Sequence, residues 1–157
     1  MVRLKKTAKT KLLASLSLFS SCSAKELAAI ARITYEVSAE DGRVMCAEGE
    51  AGSEFFVIVD GTVEVTIGGR PIVALGPGRF FGEMALLDGG PRIATVKATS
   101  PMSLLVLNRS EFESLVVTSP SVTRRMLAAL GTRLRAADKI MVSSLPEDGD
   151  EVLPIGI

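Results

Sequence analysis

Two ionisable side chains, Glu83 and Arg92, bracket a glycine-bounded stretch that reads Phe81-Gly82-Glu83-Met84-Ala85-Leu86-Leu87-Asp88-Gly89-Gly90-Pro91-Arg92-Ile93-Ala94-Thr95-Val96. Glu83 to Leu87 are good helix formers, so one short turn of helix is expected there, flanked by glycines. A helix N-terminus displays unpaired N–H groups and partial positive charge, which suits a phosphate. Arg92 stands just before an apolar run, so its guanidinium is expected at the interior edge of the fold. A buried arginine calls for an anion, and a pair of phosphate oxygens fits its fork. The Glu83 carboxylate is an acceptor only, and sugar hydroxyls are neutral donors that match it. A single ligand carrying a sugar and a phosphate would satisfy both residues. The alternative is a Glu83–Arg92 ion pair across the loop, with no ligand.

Other chemistry is narrowed by composition. The chain of 157 residues fits one domain with short ends, and 47% of it is apolar, enough for a core. It has no histidine, which removes histidine acid/base chemistry and histidine metal ligands together. Cys22 and Cys46 are not spaced as a metal knuckle or redox pair, and two reduced, half-buried thiols in a cytoplasmic protein are expected. Lys+Arg and Asp+Glu balance at 18 each, so no basic excess points to nucleic acid. The one basic cluster, Arg3 to Lys11, reads as a solvated end. Followed by Leu12 to Phe19 and Ser20-Ser21-Cys22, it could also form a short lipoprotein leader, but Ser15 and Ser17 break the apolar run. No stretch is long enough to span a membrane.

The pocket residues need a frame, and the periodicity supplies one. Leu12, Leu13 and Leu16 make one helical face. Ser23 caps a second helix in a capping box with Glu26, and Leu27 and Ile30 form its buried stripe. From Thr34 the pattern turns extended. Thr34 to Val37 and Val44 to Ala47 flank a turn at Asp41-Gly42, and Glu54 to Val59 is apolar enough to be buried on both faces. Thr62 to Ile67 alternates, with Val63, Val65 and Ile67 expected inward, and returns through Gly68-Gly69 to Arg70–Leu75. Arg79 to Phe81, Ile93 to Ala98 and Met102 to Leu107 follow as strands. Asn108, with Glu111, caps a helix, and a longer one runs from about Ser121 to Val142. The fold class expected is mainly β with flanking α-helices. It is an antiparallel β-roll or jelly roll (double-stranded β-helix) with N-terminal helices and a C-terminal helical lid. Residues 1–11 form a basic end, 12–143 the domain, and 144–157 a tail or linker.

The 81–96 stretch strongly resembles the phosphate-binding cassette of the cyclic-nucleotide-binding domain family. That family includes regulatory subunits of cAMP-dependent kinase, bacterial catabolite activators and nucleotide-gated channels. The likeness rests on Phe81-Gly82-Glu83, Ala85-Leu86-Leu87 and Pro91-Arg92 followed by Ala94 and Val96. It extends through Leu18-Phe19, Gly49, Phe55-Phe56 and Gly61 to the helix after Ser121, and so covers most of the chain. It implies a non-catalytic regulatory domain whose ligand is cAMP, with no metal. By the same resemblance, Gly82 lets the backbone approach the ribose and Glu83 accepts from its 2′-hydroxyl. The N–H groups of Ala85 and Ala94 face the cyclic phosphate, and Arg92 binds an exocyclic oxygen. Met84 and Ile93 complete the ligand-binding set within the cassette. In cGMP-selective relatives the residue after the arginine is often threonine; Ile93 has no donor or acceptor, which favours cAMP over cGMP. Ala137 and Asp138 fall where catabolite activators contact the adenine amino group. Asp138 could accept from that amine or face solvent.

Leu127, Leu130, Leu134, Ala137 and Met141 follow the spacing of a coiled-coil seam. A homodimer through that helix and simple packing of the helix on its own roll both fit. The output expected is a ligand-driven shift of the last helix towards an effector protein or domain. No DNA-reading element is expected after Val142 and no kinase-inhibitor sequence or channel before the domain, so the chain stands alone or belongs to something larger. The competing functions are a ligand-free interaction roll and a cupin-like enzyme, the latter disfavoured by the lack of histidine.

Overall fold

The computed structural model describes residues 6–143, with side chains for residues 8–139. Arg3, Lys5, the side chain of Met141 and the 144–157 segment lie outside the described residues. Two N-terminal helices, α1 (Lys6–Ser15) and α2 (Ala24–Ile33), are joined by a 3₁₀ turn at Ser17–Phe19. The strands are β1 (Tyr35–Ala39), β2 (Val44–Cys46), β3 (Glu54–Asp60), β4 (Val63–Ile67), β5 (Arg70–Leu75), β6 (Phe80–Phe81), β7 (Thr95–Ala98) and β8 (Met102–Asn108). A short helix, α3 (Glu83–Asp88), separates β6 from β7, and α4 (Arg109–Thr118) and α5 (Pro120–Ser143) close the described chain.

The strands form two antiparallel four-stranded sheets, ordered β1-β8-β3-β6 and β2-β7-β4-β5. The chain crosses repeatedly from one sheet to the other, which is the β-roll expected from the short strands and regular turns. β3 and β8 sit inside the first sheet and are buried on both faces. Phe55, Val57, Leu105 and Leu107 point to the helices, where they meet Leu13, Phe19, Ile30, Phe112, Leu115, Val122 and Met126. Phe56, Ile58, Leu104 and Val106 point the other way, into the space between the sheets, with Val63, Leu75, Phe81 and Val96. The near-continuous apolar run of β3 is thus explained by one layer packed on each side.

Both anticipated capping boxes are present, at Ser23/Glu26 and Asn108/Glu111. Each satisfies N–H groups that the first turn leaves without helical partners. The cysteines are free thiols, with Cys46 buried and Cys22 half-buried. Two local expectations are corrected. Ile67 is 41% exposed rather than inward. The β4–β5 register shifts between Val65 and Thr66, and Ile67 overhangs the end of β7, whose pairing stops at Thr66↔Thr95. The strand expected from Ile93 begins only at Thr95. The backbone of Arg92 is instead bonded to the loop before β3, through Arg92 N–H to the Glu50 carbonyl and Gly49 N–H to the Arg92 carbonyl, each 2.8 Å.

Candidate functional site

The connection from β6 to β7 carries the chain from the first sheet to the second, and the cassette residues from Gly82 to Ala94 lie on it. Gly82 caps α3 from a left-handed conformation, φ 91°. A side chain there would be strained, and its Cβ would lie 2.8 Å from both Arg92 Nη1 and the Glu54 carbonyl. Glycine therefore lets the helix start directly against the arginine. Glu83, Ala85 and Leu86 in the short helix are buried.

Arg92 is buried, and its guanidinium donates from Nη1 to the Gly82 carbonyl and from Nη2 to the Glu54 carbonyl, both at 2.8 Å. These are neutral acceptors, so the expectation that the buried arginine requires an anion is corrected: the backbone itself holds the guanidinium. Gly52 forms a wall behind it. A Cβ on Gly52 would fall 2.3 Å from Arg92 Nε, so only a bare Cα lets the loop come so close. Sequence reasoning passed over Gly52. Its signal was the Gly49-Glu50-Ala51-Gly52 spacing before an apolar strand, which is too common to single out one glycine.

The Glu83–Arg92 ion pair, the ligand-free alternative, is not what forms. Arg133 of α5 donates from Nη1 to Glu83 Oε1 at 2.9 Å and from Nη2 to the Phe80 carbonyl at 2.5 Å. Its guanidinium also lies 4.5 Å from the centroid of the Phe80 ring, a cation–π contact. Burial raises the Glu83 carboxyl above its ordinary value; the charge of Arg133, and to a smaller extent that of Arg92, pulls the other way. Arg133 was also missed from sequence. Val122, Met126, Ala129 and Leu130 pack on the core, and Arg133 continues that stripe. A charge on the buried face of a helix was the available sign.

Gly82, Glu83, Ala85 and Arg92 are thus brought together where the chain passes from the first sheet to the second. Ala94 is half-buried next to them in sequence, while Met84 and Ile93 are exposed at 39% and 56%. Asp138 lies a little over one turn beyond Arg133 on α5. Its Oδ1 is sealed from solvent and has no hydrogen-bond partner among the described residues. Among the described residues no cluster could hold a metal ion, and no helix is long and apolar enough to cross a membrane.

The profile of the cyclic nucleotide-binding domain matches residues 36–119, more than half of the chain. The chain belongs to that family. A cyclic nucleotide-gated potassium channel of Mesorhizobium japonicum is 40% identical over 111 residues, covering 71% of this chain and 31% of the channel. The cyclic AMP receptor protein of Thermus thermophilus is 36% identical over 102 residues, covering 62% of this chain and 47% of the receptor. The solved structure of cAMP-bound PfPKA-R superposes with a TM-score of 0.75 at 26% identity, over 88% of this chain and 47% of that one. The chain therefore spans about a third to a half of the length of these relatives. The two-sheet roll with flanking helices is the cyclic-nucleotide-binding fold, and the resemblance of the 81–96 stretch is borne out at the level of the family.

Proposed function

We propose that the chain is a cAMP-binding regulatory module, not a catalyst, in which the sugar and cyclic phosphate seat between Glu83 and Arg92. The observation that carries this reading is the joint burial of these two opposite charges on either side of Gly82. Neither is paired with the other, and each is held by a different part of the backbone or by α5. Glu83 accepts from the ribose 2′-hydroxyl, and the N–H groups of Ala85 and Ala94 meet the phosphate. Arg92 turns its charge on an exocyclic oxygen, with Met84 and Ile93 at the rim. Ile93 offers no hydrogen bond to a guanine amino group, so adenine is favoured. The partnerless Oδ1 of Asp138 is a ready acceptor for the adenine amine. Two relatives, a cyclic AMP receptor protein and a cAMP-bound PfPKA-R, point the same way.

Output would pass through Arg133. It ties α5 to the carboxylate that the ribose engages, so binding there redistributes α5 between positions. Leu127 and Leu134 are exposed, at 64% and 39%, on a face of α5 turned away from the roll, and would serve a paired helix of a second copy.

Calorimetric titration with cAMP, cGMP and AMP tests the reading. Binding of cAMP in preference to cGMP, lost in Arg92→Ala with the fold intact, is expected. Equal silence towards all three nucleotides would sink it.

A further inference from the structure

Arg92 is the charge on which the proposed pocket turns, and its position depends on the loop between β2 and β3. That loop is tied at its start to β7 and the β4–β5 hairpin by Glu48, through Glu48 N–H to Thr95 Oγ1 and Gly68 N–H to Glu48 Oε2. Residues 47–53 run between β2 and β3 without regular structure. This loop wraps the arginine on several sides. Glu50 and Gly49 take its backbone, Gly52 backs Nε, and the carbonyl of Glu54, the first residue of β3, receives Nη2. The Gly52 wall works only while the loop stays pressed inward.

What presses it is a second arginine. Arg109 is the first residue of α4, and its Nη2 donates to the Gly52 carbonyl at 2.9 Å. Its own base is rigid: Asn108 pairs with Glu54 in the β3–β8 ladder and caps α4 in a reciprocal capping box. The side of Glu54 facing away from Arg92 is held as well, since the Tyr35 hydroxyl donates to Glu54 Oε2 at 2.8 Å. Two guanidiniums therefore meet the same short loop. Arg92 leans on the Cα of Gly52, and Arg109 grips its carbonyl.

We propose that Arg109 is a positioning residue for Arg92, which sets phosphate affinity from α4 without touching the ligand. This rests on the reading of the pocket given above. A partly buried charge-assisted hydrogen bond from a helix start fixes Gly52 and denies the Arg92 guanidinium room to swing back. Without it the loop relaxes outward, and Arg92 meets the phosphate with poorer aim.

The test compares Arg109→Ala and Arg109→Lys with the unmodified chain, in the native background and in Arg92→Lys. In the native background Arg109→Ala should weaken cAMP binding about ten-fold, the scale of one misplaced charge-assisted hydrogen bond. Arg109→Lys keeps a donor and should recover part of the loss. In the Arg92→Lys background, Arg109→Ala should cost much less, because its effect passes through the guanidinium. A purely structural role would give the same loss in both backgrounds and would overturn the proposal, as would unchanged affinity. Amide hydrogen exchange without nucleotide gives a readout independent of the ligand. Arg109→Ala should speed exchange at the Gly49 and Arg92 amides while leaving β8 protected. If the unmodified chain binds no cyclic nucleotide, the pocket reading fails, and exchange alone still decides Arg109: unaltered rates at Gly49 and Arg92 reject it.

Discussion

Arg133 and Glu83 are fifty positions apart in the chain, yet a guanidinium nitrogen of one lies 2.9 Å from a carboxylate oxygen of the other. The pair joins the helix nearest the end of the described chain to the first residue of α3, inside the cassette. Because Glu83 is buried and Arg133 is about a third exposed, the two ends of the bond are unequal. Removing the arginine strands a carboxylate that has little water to turn to. Arg133→Met is expected to destabilise the ligand-free protein by about 1–3 kcal/mol, less than a fully buried pair would cost because one partner is screened. Chemical denaturation reads the change, and a loss indistinguishable from that of Arg135→Met, an exposed neighbour on the same helix, would contradict it.

The raised carboxyl of Glu83 gives the protein a pH signature. Its ordinary value is 4.5, and burial, the largest influence, shifts it upward in the folded chain. Between the ordinary and the raised value the folded state holds a proton that the unfolded state has released. Stability conferred by that proton is complete at lower pH and is lost as pH climbs through the window. Ligand binding runs in the opposite sense, since accepting from a ribose hydroxyl is strongest for the ionised carboxylate. Affinity for cAMP should therefore fall on acidification, beginning above the range where exposed carboxylates titrate. Glu83→Gln should bind more weakly at neutral pH and lose this dependence. An identical pH profile in the two proteins would assign the titration to some other group.

Much of this architecture was legible in the residues because local and tertiary demands agree. Ser23/Glu26 and Asn108/Glu111 sit at true helix starts, and β3 is apolar on both faces because a layer packs on each. Glu83 and Arg92 could be singled out because a glycine-bounded turn between strands has few reasons to carry buried charge. What the sequence did not reveal depends on long-range geometry. Arg133 meets Glu83 only after α5 folds back across the roll, and Gly52 matters only because Arg92 comes to rest on it. Ile67 kept the alternating pattern and its pairing with Arg70 of β5, but β7 on its other side ends before it, and periodicity says nothing about how far that neighbour extends.

The contact between Gly52 and Arg92 makes a sharp prediction. Gly52→Ala places a methyl group 2.3 Å from Nε and 2.5 Å from Cζ, so the arginine or the loop must move. Overpacking of this kind costs about 1–3 kcal/mol, and cAMP binding should weaken in step with it. Gly90→Ala is the control, because its added carbon meets only the flexible Asp88 side chain, nearest at 3.1 Å. Gly52→Ala with unaltered melting temperature and affinity would show that the wall yields freely.

The exposed leucines of α5 offer a last measurement. Val122 and Met126 are buried against the roll, while Leu127 and Leu134 project from the helix seven residues apart, on one side. Half-buried Leu130 lies between the two faces and packs partly on the core. Of the seam anticipated from sequence, Leu127, Leu134 and Ala137 are therefore available to a second helix, and Leu130 is shared with the domain's own core. If those leucines pair copies of the chain, sedimentation should give a dimer that dissociates on dilution. Leu127→Glu with Leu134→Glu should give a monomer with the same circular dichroism. Because neither leucine belongs to the buried core, the substitutions should shift stability at matched monomer concentration by less than about 0.5 kcal/mol. A unmodified chain that sediments as a monomer at every concentration would leave α5 packed on its own roll alone, and output would then have to come from movement of a single helix.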